Sequence, residues 1–250
     1  MHRIACSLLL IVFMTLSETE LHAAGMQDVQ KGGLPGPAVS SAQTAVLISP
    51  EFSIPKARTA VLIMDYENDI VSMLPAGVQT AILEKASTIL KASRQAHLLI
   101  IYVVVRFRDG YPEINQQNRL FSTLKDSGRF REGTFGAEIH EKVAPQPGDI
   151  IITKRRVGAF LTTDLETILR SHNISTLVLF GISTSGVVLS TVRTAADMDY
   201  KLAVISDACA DRDAEVHRVL MDKVFPWQAA VVNTPDFLNA VRAMEDKQSQ

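Results

Sequence analysis

From about residue 58 onward, apolar runs and helix-spaced stretches alternate along this chain. Ala60 to Met64 is an unbroken apolar run, which predicts a strand covered on both faces. Leu98 to Val105 predicts a second, and Asp149 to Thr153, Thr176 to Phe180, Lys201 to Ser206 and Ala229 to Val232 predict four more. Between the first two, Val78, Ala81, Ile82, Ala86, Ile89 and Leu90 fall at helical spacing, with Ser93 continuing that face, so a helix is expected over 78–96. Further helices are expected over 163–171, with Thr162 or Thr163 as cap, and over 184–199. Another is expected over 213–224, where acidic residues suit a helix start, and a last one over 235–244, with Pro235 at its first position. Residues 107–134 are polar and punctuated by glycine, a long excursion with one short helix around 116–124. A further short helix is expected over 136–143. Strands alternating with helices predict one α/β domain with a mostly parallel sheet of six strands, helices on both faces and right-handed crossovers.

The ends of the chain read differently. His2 and Arg3 precede a largely apolar run from Ile4 to Thr15, and small residues follow at Ala23, Ala24 and Gly25. That is the pattern of a signal peptide over 1–25, so a secreted or periplasmic protein is expected. Residues 26–57, with Gly32-Gly33-Leu34-Pro35-Gly36-Pro37, Pro50 and Pro55, form a linker or N-terminal arm; Ala45 to Ile48 adds a short edge strand or remains irregular. The domain is expected over 58–245, with a tail at 246–250. No second apolar run reaches membrane-spanning length.

Composition narrows the chemistry. The 250 residues are 47% hydrophobic and 21% charged with a formal net charge of -2, an ordinary globular balance. Near-neutral charge and 6% aromatic content give no basis for nucleic-acid binding. With Cys6 inside the signal, Cys209 is left without an intrachain partner. His97, His140, His172 and His217 are scattered without metal-ligand spacing, so neither a metal nor another cofactor is expected.

In parallel sheets, ligands bind beyond the carboxyl ends of the strands. Asp65 follows the first strand directly, and Lys154 follows the third. An ammonium there would pair with Asp65 or hold an anionic substrate, although an Asp closing a strand also commonly serves the next turn. Arg106 after the second strand, with Arg108, Arg119 and Arg156, supplies guanidinium groups suited to a carboxylate. After the fourth strand comes Gly181-Ile182-Ser183-Thr184-Ser185-Gly186-Val187, a strand-to-helix turn of the kind that binds anions. Its hydroxyls have no histidine at a spacing that suggests a base.

These stretches resemble one family. Ala60 to Asp65 with Asn68-Asp69, Ile152-Thr153-Lys154 with Ala159-Phe160, Gly181 to Thr184, Thr191 with Ala195-Ala196, and Asp207-Ala208 with His217 are similar to the motifs of the isochorismatase-like, or cysteine hydrolase, superfamily. The resemblance covers about 59–241 and implies an α/β three-layer sandwich, Rossmann-like, with a six-stranded sheet. It implies catalytic roles for Asp65 and Lys154, a non-proline cis peptide at Ile182–Ser183, amides around 184–187 facing an oxyanion, and a homo-oligomer. Where the family places its cysteine, six residues after Gly181, this chain has Val187. Isochorismatases also lack that cysteine and cleave a vinyl ether, with the Asp as acid. The resemblance therefore implies a hydrolase of a small carboxylated molecule, with Asp65 as acid/base, Lys154 setting its protonation, and Arg156, Arg119, Arg106, Ile182, Ser183 and Thr184 around the substrate. Two alternatives stand beside it: a binding protein without turnover, and an amide hydrolase using a serine or an activated water.

Overall fold

A computed structural model describes residues 52–246. The expected signal peptide, the Ala45–Ile48 strand and all but the first residue of the expected tail lie outside these residues, as does most of the expected arm. Six strands form one sheet: β1 (Thr59–Met64), β2 (Leu99–Val105), β3 (Ile150–Lys154), β4 (Thr176–Gly181), β5 (Lys201–Ile205) and β6 (Ala230–Val232). Their order is β3-β2-β1-β4-β5-β6, and every pairing is parallel. β1 and β4 are the two central strands and every residue in them is buried, which is why their sequences carry no polar alternation. β3 lies at an edge, and Ile151 on it is 46% exposed.

The helices are α1 (Asn68–Val71), α2 (Ala76–Gln95), α3 (Arg119–Ser127), α4 (Leu165–Ser171), α5 (Leu189–Asp197), α6 (Ala214–Val219) and α7 (Thr234–Asp246). The β1–β2 and β4–β5 crossovers run in opposite directions across the sheet. Right-handed connections therefore put α2 on one face and α5 on the other, and α2 packs against α7. The buried stripe of α2 is Ile82, Leu83, Ala86, Ile89, Leu90 and Ser93; Leu83 takes the place expected of Val78, which is 40% exposed. No helix among the described residues is long and apolar enough to cross a membrane. Packing reaches back into the expected arm, because Ile54 is buried in the main core.

Four helices differ from expectation. The one expected over 213–224 is α6 followed by a wide turn, Leu220–Val224. The helix of the excursion starts later, because Asn118 caps it by accepting from Phe121 N, and Gly128, at φ 67°, ends it. The expected helix over 136–143 is two single turns, Phe135–Ala137 and Glu141–Val143, since Ile139 between them pairs antiparallel with Glu67. The helix after β4 opens with a wide turn, Thr184–Val188, before α5 begins.

Strand order reverses between β1 and β4. The excursion covers the carboxyl ends on the β2 and β3 side with its own apolar cluster of Val105, Phe107, Tyr111, Phe121 and Phe130, against which Ile70 and Val157 pack.

Candidate active site

At the reversal, Met64 of β1 stands opposite Gly181 of β4. The strands are so close here that a Cβ on residue 181 would lie 2.7 Å from Met64 O. Asp65 then leaves β1 with φ 59°, an uncommon left-handed conformation for a residue with a side chain. Its N–H still donates to Val103 O at 2.9 Å. Lys154 ends β3 and reaches across β2, placing Nζ 2.9 Å from Asp65 Oδ2. Nζ also donates to Arg156 O at 3.1 Å. The pair is buried, Asp65 at 6% exposure and Lys154 at 2%. Burial pushes the Asp65 carboxyl up to about 6, against the attraction and hydrogen bond of Lys154. Loss of water thus outweighs one cation. Asp65 Oδ1 has no hydrogen-bond partner among the described residues. One oxygen is tethered to Lys154, and the other is buried with no protein group to satisfy it.

Sequence reasoning passed over Glu67. Its side chain is fully buried, Oε1 accepts from Val105 N–H, and Oε2 is unpartnered. Burial first, and then the nearby charge of Asp65, push its pKa well above the ordinary carboxylate range. The available signal was its position: Asp65 and Glu67 are two carboxyls within three residues, directly after a strand buried on both faces.

The turn after β4 is already engaged within the protein. Ile182–Ser183 is a cis peptide, as the resemblance implied. Thr184 is fully buried, its N–H donating to Ala210 O at 2.9 Å and its hydroxyl 2.8 Å from His217 Nδ1. Ser185 N–H donates to Asp211 Oδ2 at 2.7 Å and Gly186 N–H to Ser183 O at 3.2 Å. The expectation that the amides around 184–187 face an oxyanion is corrected for these three, since protein acceptors take them. Val187 is 1% exposed. Ser185 is exposed and Ser190 half-buried, and among the described residues neither is paired with a histidine. The Cys209 thiol is buried and pushed up to about 12 by that burial, which makes it a poor nucleophile.

The expected group of arginines separates. Arg106 donates through Nε to Ala137 O at 2.9 Å and faces Glu138 at 3.5 Å. Arg119 is exposed on the first turn of α3. Arg108 lies 2.6 Å from Glu113, and Arg155 pairs with Glu113 and Glu132. Arg156 differs: it donates to the carbonyls of Glu113 and Arg155 and has no carboxylate partner among the described residues. It lines both a cavity of about 460 Å³ beside Arg108 and Arg155 and one of about 580 Å³ beside Phe121, Val157 and Ser190; neither cavity is lined by Arg106 or Arg119. Its guanidinium carbon sits 6.0 Å from the Phe121 ring centroid. Neither cavity is lined by Asp65 or Lys154; the link between them is Arg156, which lines both cavities and whose carbonyl accepts from Lys154 Nζ. No group of three or more potential metal-ligating side chains gathers among the described residues.

Comparison with known proteins finds one family. The isochorismatase domain matches residues 59–236. The isochorismatase family protein YwoC of Bacillus subtilis (strain 168) is 31% identical over 185 residues, covering 74% of this chain and 95% of its own. The ureidoacrylate amidohydrolase RutB of Rhizobium rhizogenes (strain K84) is 28% identical over 244 residues, covering 88% of this chain and 95% of its own. Among solved structures, a cysteine hydrolase from Pseudomonas syringae pv. phaseolicola 1448A superposes with a TM-score of 0.70 at 24% identity, over 77% of this chain and 96% of that one. With the domain match spanning most of the folded residues, and a relative above 30% identity aligned over nearly its full length, this chain belongs to the isochorismatase family of hydrolases.

Proposed function

We propose that this protein hydrolyses a C–N bond in a small carboxylated amide or ureide, using Asp65 as general base and then general acid, without a covalent enzyme intermediate. The observation that carries the reading is the Asp65–Lys154 pair: buried, tethered through Oδ2, with Oδ1 unpartnered. A carboxyl group held near 6 is ionised at neutral pH, yet basic enough to take a proton from water and return it to a leaving nitrogen. Lys154 offsets the negative charge that develops on the attacked carbon's oxygen, in a site from which bulk water is excluded. Arg156, without a carboxylate of its own, holds the carboxylate of the substrate in the adjoining cavity. Val187 supplies no nucleophile, which leaves water as the attacking group. The ureidoacrylate amidohydrolase relative supports a C–N bond over a vinyl ether.

The test is a screen of carboxylated amides, ureides and vinyl ethers with wild type, Asp65→Asn and Arg156→Ala. We expect C–N hydrolysis that falls by about a hundredfold or more in Asp65→Asn. Arg156→Ala should raise KM more than it lowers kcat. Turnover that survives Asp65→Asn would overturn the mechanism. Turnover confined to vinyl ethers would replace the bond class and keep the acid/base role.

A further inference from the structure

We propose that Glu67 is a positioning residue that carries the proton of the buried site, so that Asp65 remains a carboxylate bound to Lys154 in the resting protein. The geometry begins with β2. Val105 would ordinarily find its acceptor on the neighbouring strand, but β1 has ended: the β1–β2 pairing stops at Met64 with Val103, and Asp65 turns away. Glu67 Oε1 takes that N–H instead. Val105 is also the β2 residue opposite Lys154, so the ammonium crosses β2 at the level where the Glu67 carboxyl is bound. The backbone of Glu67 is fixed as well, by its bridge to Ile139 and by Ile70 N and Val71 N, which donate to its carbonyl.

Two carboxyl groups thus share one ammonium in a site from which bulk water is excluded. The charged groups bearing on Glu67 are Asp65 from the end of β1 and Lys154 from β3; β2 offers only an N–H, and the 138–139 segment only backbone. Three full charges would leave the site with a net negative charge, which burial strongly opposes. One proton removes it. Asp65 has its oxygen on the ammonium, whereas Glu67 has only an amide, so the proton belongs on Glu67. An amide side chain would serve Val105 equally well and could hold no proton. The carboxyl therefore adds a second ionisation to the site, and once it is lost at higher pH, Asp65 becomes a stronger base.

The consequence for rate rests on the hydrolase reading, but the location of the proton does not. It is measured by infrared spectroscopy of the full chain at neutral pH, without substrate, on protein labelled with carbon-13 at the side-chain carboxyl of glutamate or of aspartate. We expect a protonated-carboxyl band that shifts with glutamate labelling, stays in place with aspartate labelling, and is missing from Glu67→Gln. A band that follows aspartate labelling or persists in Glu67→Gln overturns the proposal, as does its absence from the wild type; labelling the wild type gives this answer even where the variant folds poorly. With a substrate in hand, the pH–rate profile should show two ionisations in the wild type and one in Glu67→Gln. A merely structural role would lower the rate at every pH and keep the shape.

Discussion

At the scale of single residues, the site is defined by what burial does to charge. Asp65 and Lys154 form a pair whose attraction is smaller than the cost of removing the carboxylate from water, so Asp65 remains within reach of protonation. Val187 lies on the neighbouring turn, where the family places a cysteine, and it is packed so closely that Cγ1 is 3.3 Å from where a Cβ on Gly181 would lie. Val187→Cys removes about one methyl group from a buried site and should cost about 0.5–1.5 kcal/mol. If residue 187 faces the pair as the family resemblance implies, the new thiol should be alkylated by iodoacetamide at least tenfold faster than Cys209, followed site by site by mass spectrometry. Cys209, held near 12, is a slow internal reference. Adding Asp65→Asn should slow that alkylation by removing the group that takes the thiol proton. A thiol at 187 no more reactive than Cys209 would show that this position does not face the acid/base pair.

At the scale of elements, one of the side chains that join the excursion over 107–134 to the site comes from α1. Asp69, in the first turn of α1, accepts from Phe130 N at 2.9 Å, and Gly136 lies directly against its carboxylate, with room for no Cβ: an added one would fall 2.4 Å from the carboxylate atoms. Gly136→Ala must therefore displace Asp69 and release Phe130. The expected result is faster amide hydrogen exchange at Phe130 and its neighbours in the Phe107–Phe121 cluster, with exchange in β1 and β4 unchanged. Equal loosening throughout the sheet would show that the excursion is not a separable unit. This link was illegible in the sequence because Asp69 and Gly136 are far apart along the chain and nothing in the pattern around either one points to the other. The strands were legible for the opposite reason: β1, β2 and β4 are buried on both faces, and that burial leaves unbroken apolar runs. The turn after β4 reads as plain helix in the sequence, but Val188 N–H donates five residues back, to Ser183 O at 3.3 Å, and this widens the first turn without any mark in the residue pattern.

At the scale of the whole molecule, strand order decides which strand-end residues can meet. Asp65 and Lys154 could be named from their positions after apolar runs, and the sheet order brings them together across β2. Arg106 and Arg119 had equal standing in the sequence, but the excursion uses the first to hold the 137–138 segment and leaves the second in solvent. The same burial that shapes the site should appear in global stability. Asp65 and Glu67 bind protons more tightly when folded than when unfolded. Between their ordinary values near 4 and their raised folded values, the native state carries more protons than the unfolded one, so their contribution to stability falls as pH rises and levels off above the folded values. His217 acts in the other direction: burial lowers its pKa, so its contribution rises with pH until its ordinary value near 6.5 is passed. Comparing wild type with Glu67→Gln cancels His217 and the surface carboxyls and leaves Glu67 with its coupling to Asp65. Each unit by which the folded value exceeds the unfolded one is worth about 1.4 kcal/mol, and each kcal/mol moves Tm by about 2–4 °C in a domain of this size. Thermal unfolding from about pH 5 to pH 8 should therefore show the Tm of Glu67→Gln gaining on that of the wild type as pH rises. A constant offset between the two would mean that Glu67 titrates alike in the folded and unfolded chains, and that its carboxyl is not held protonated by the site.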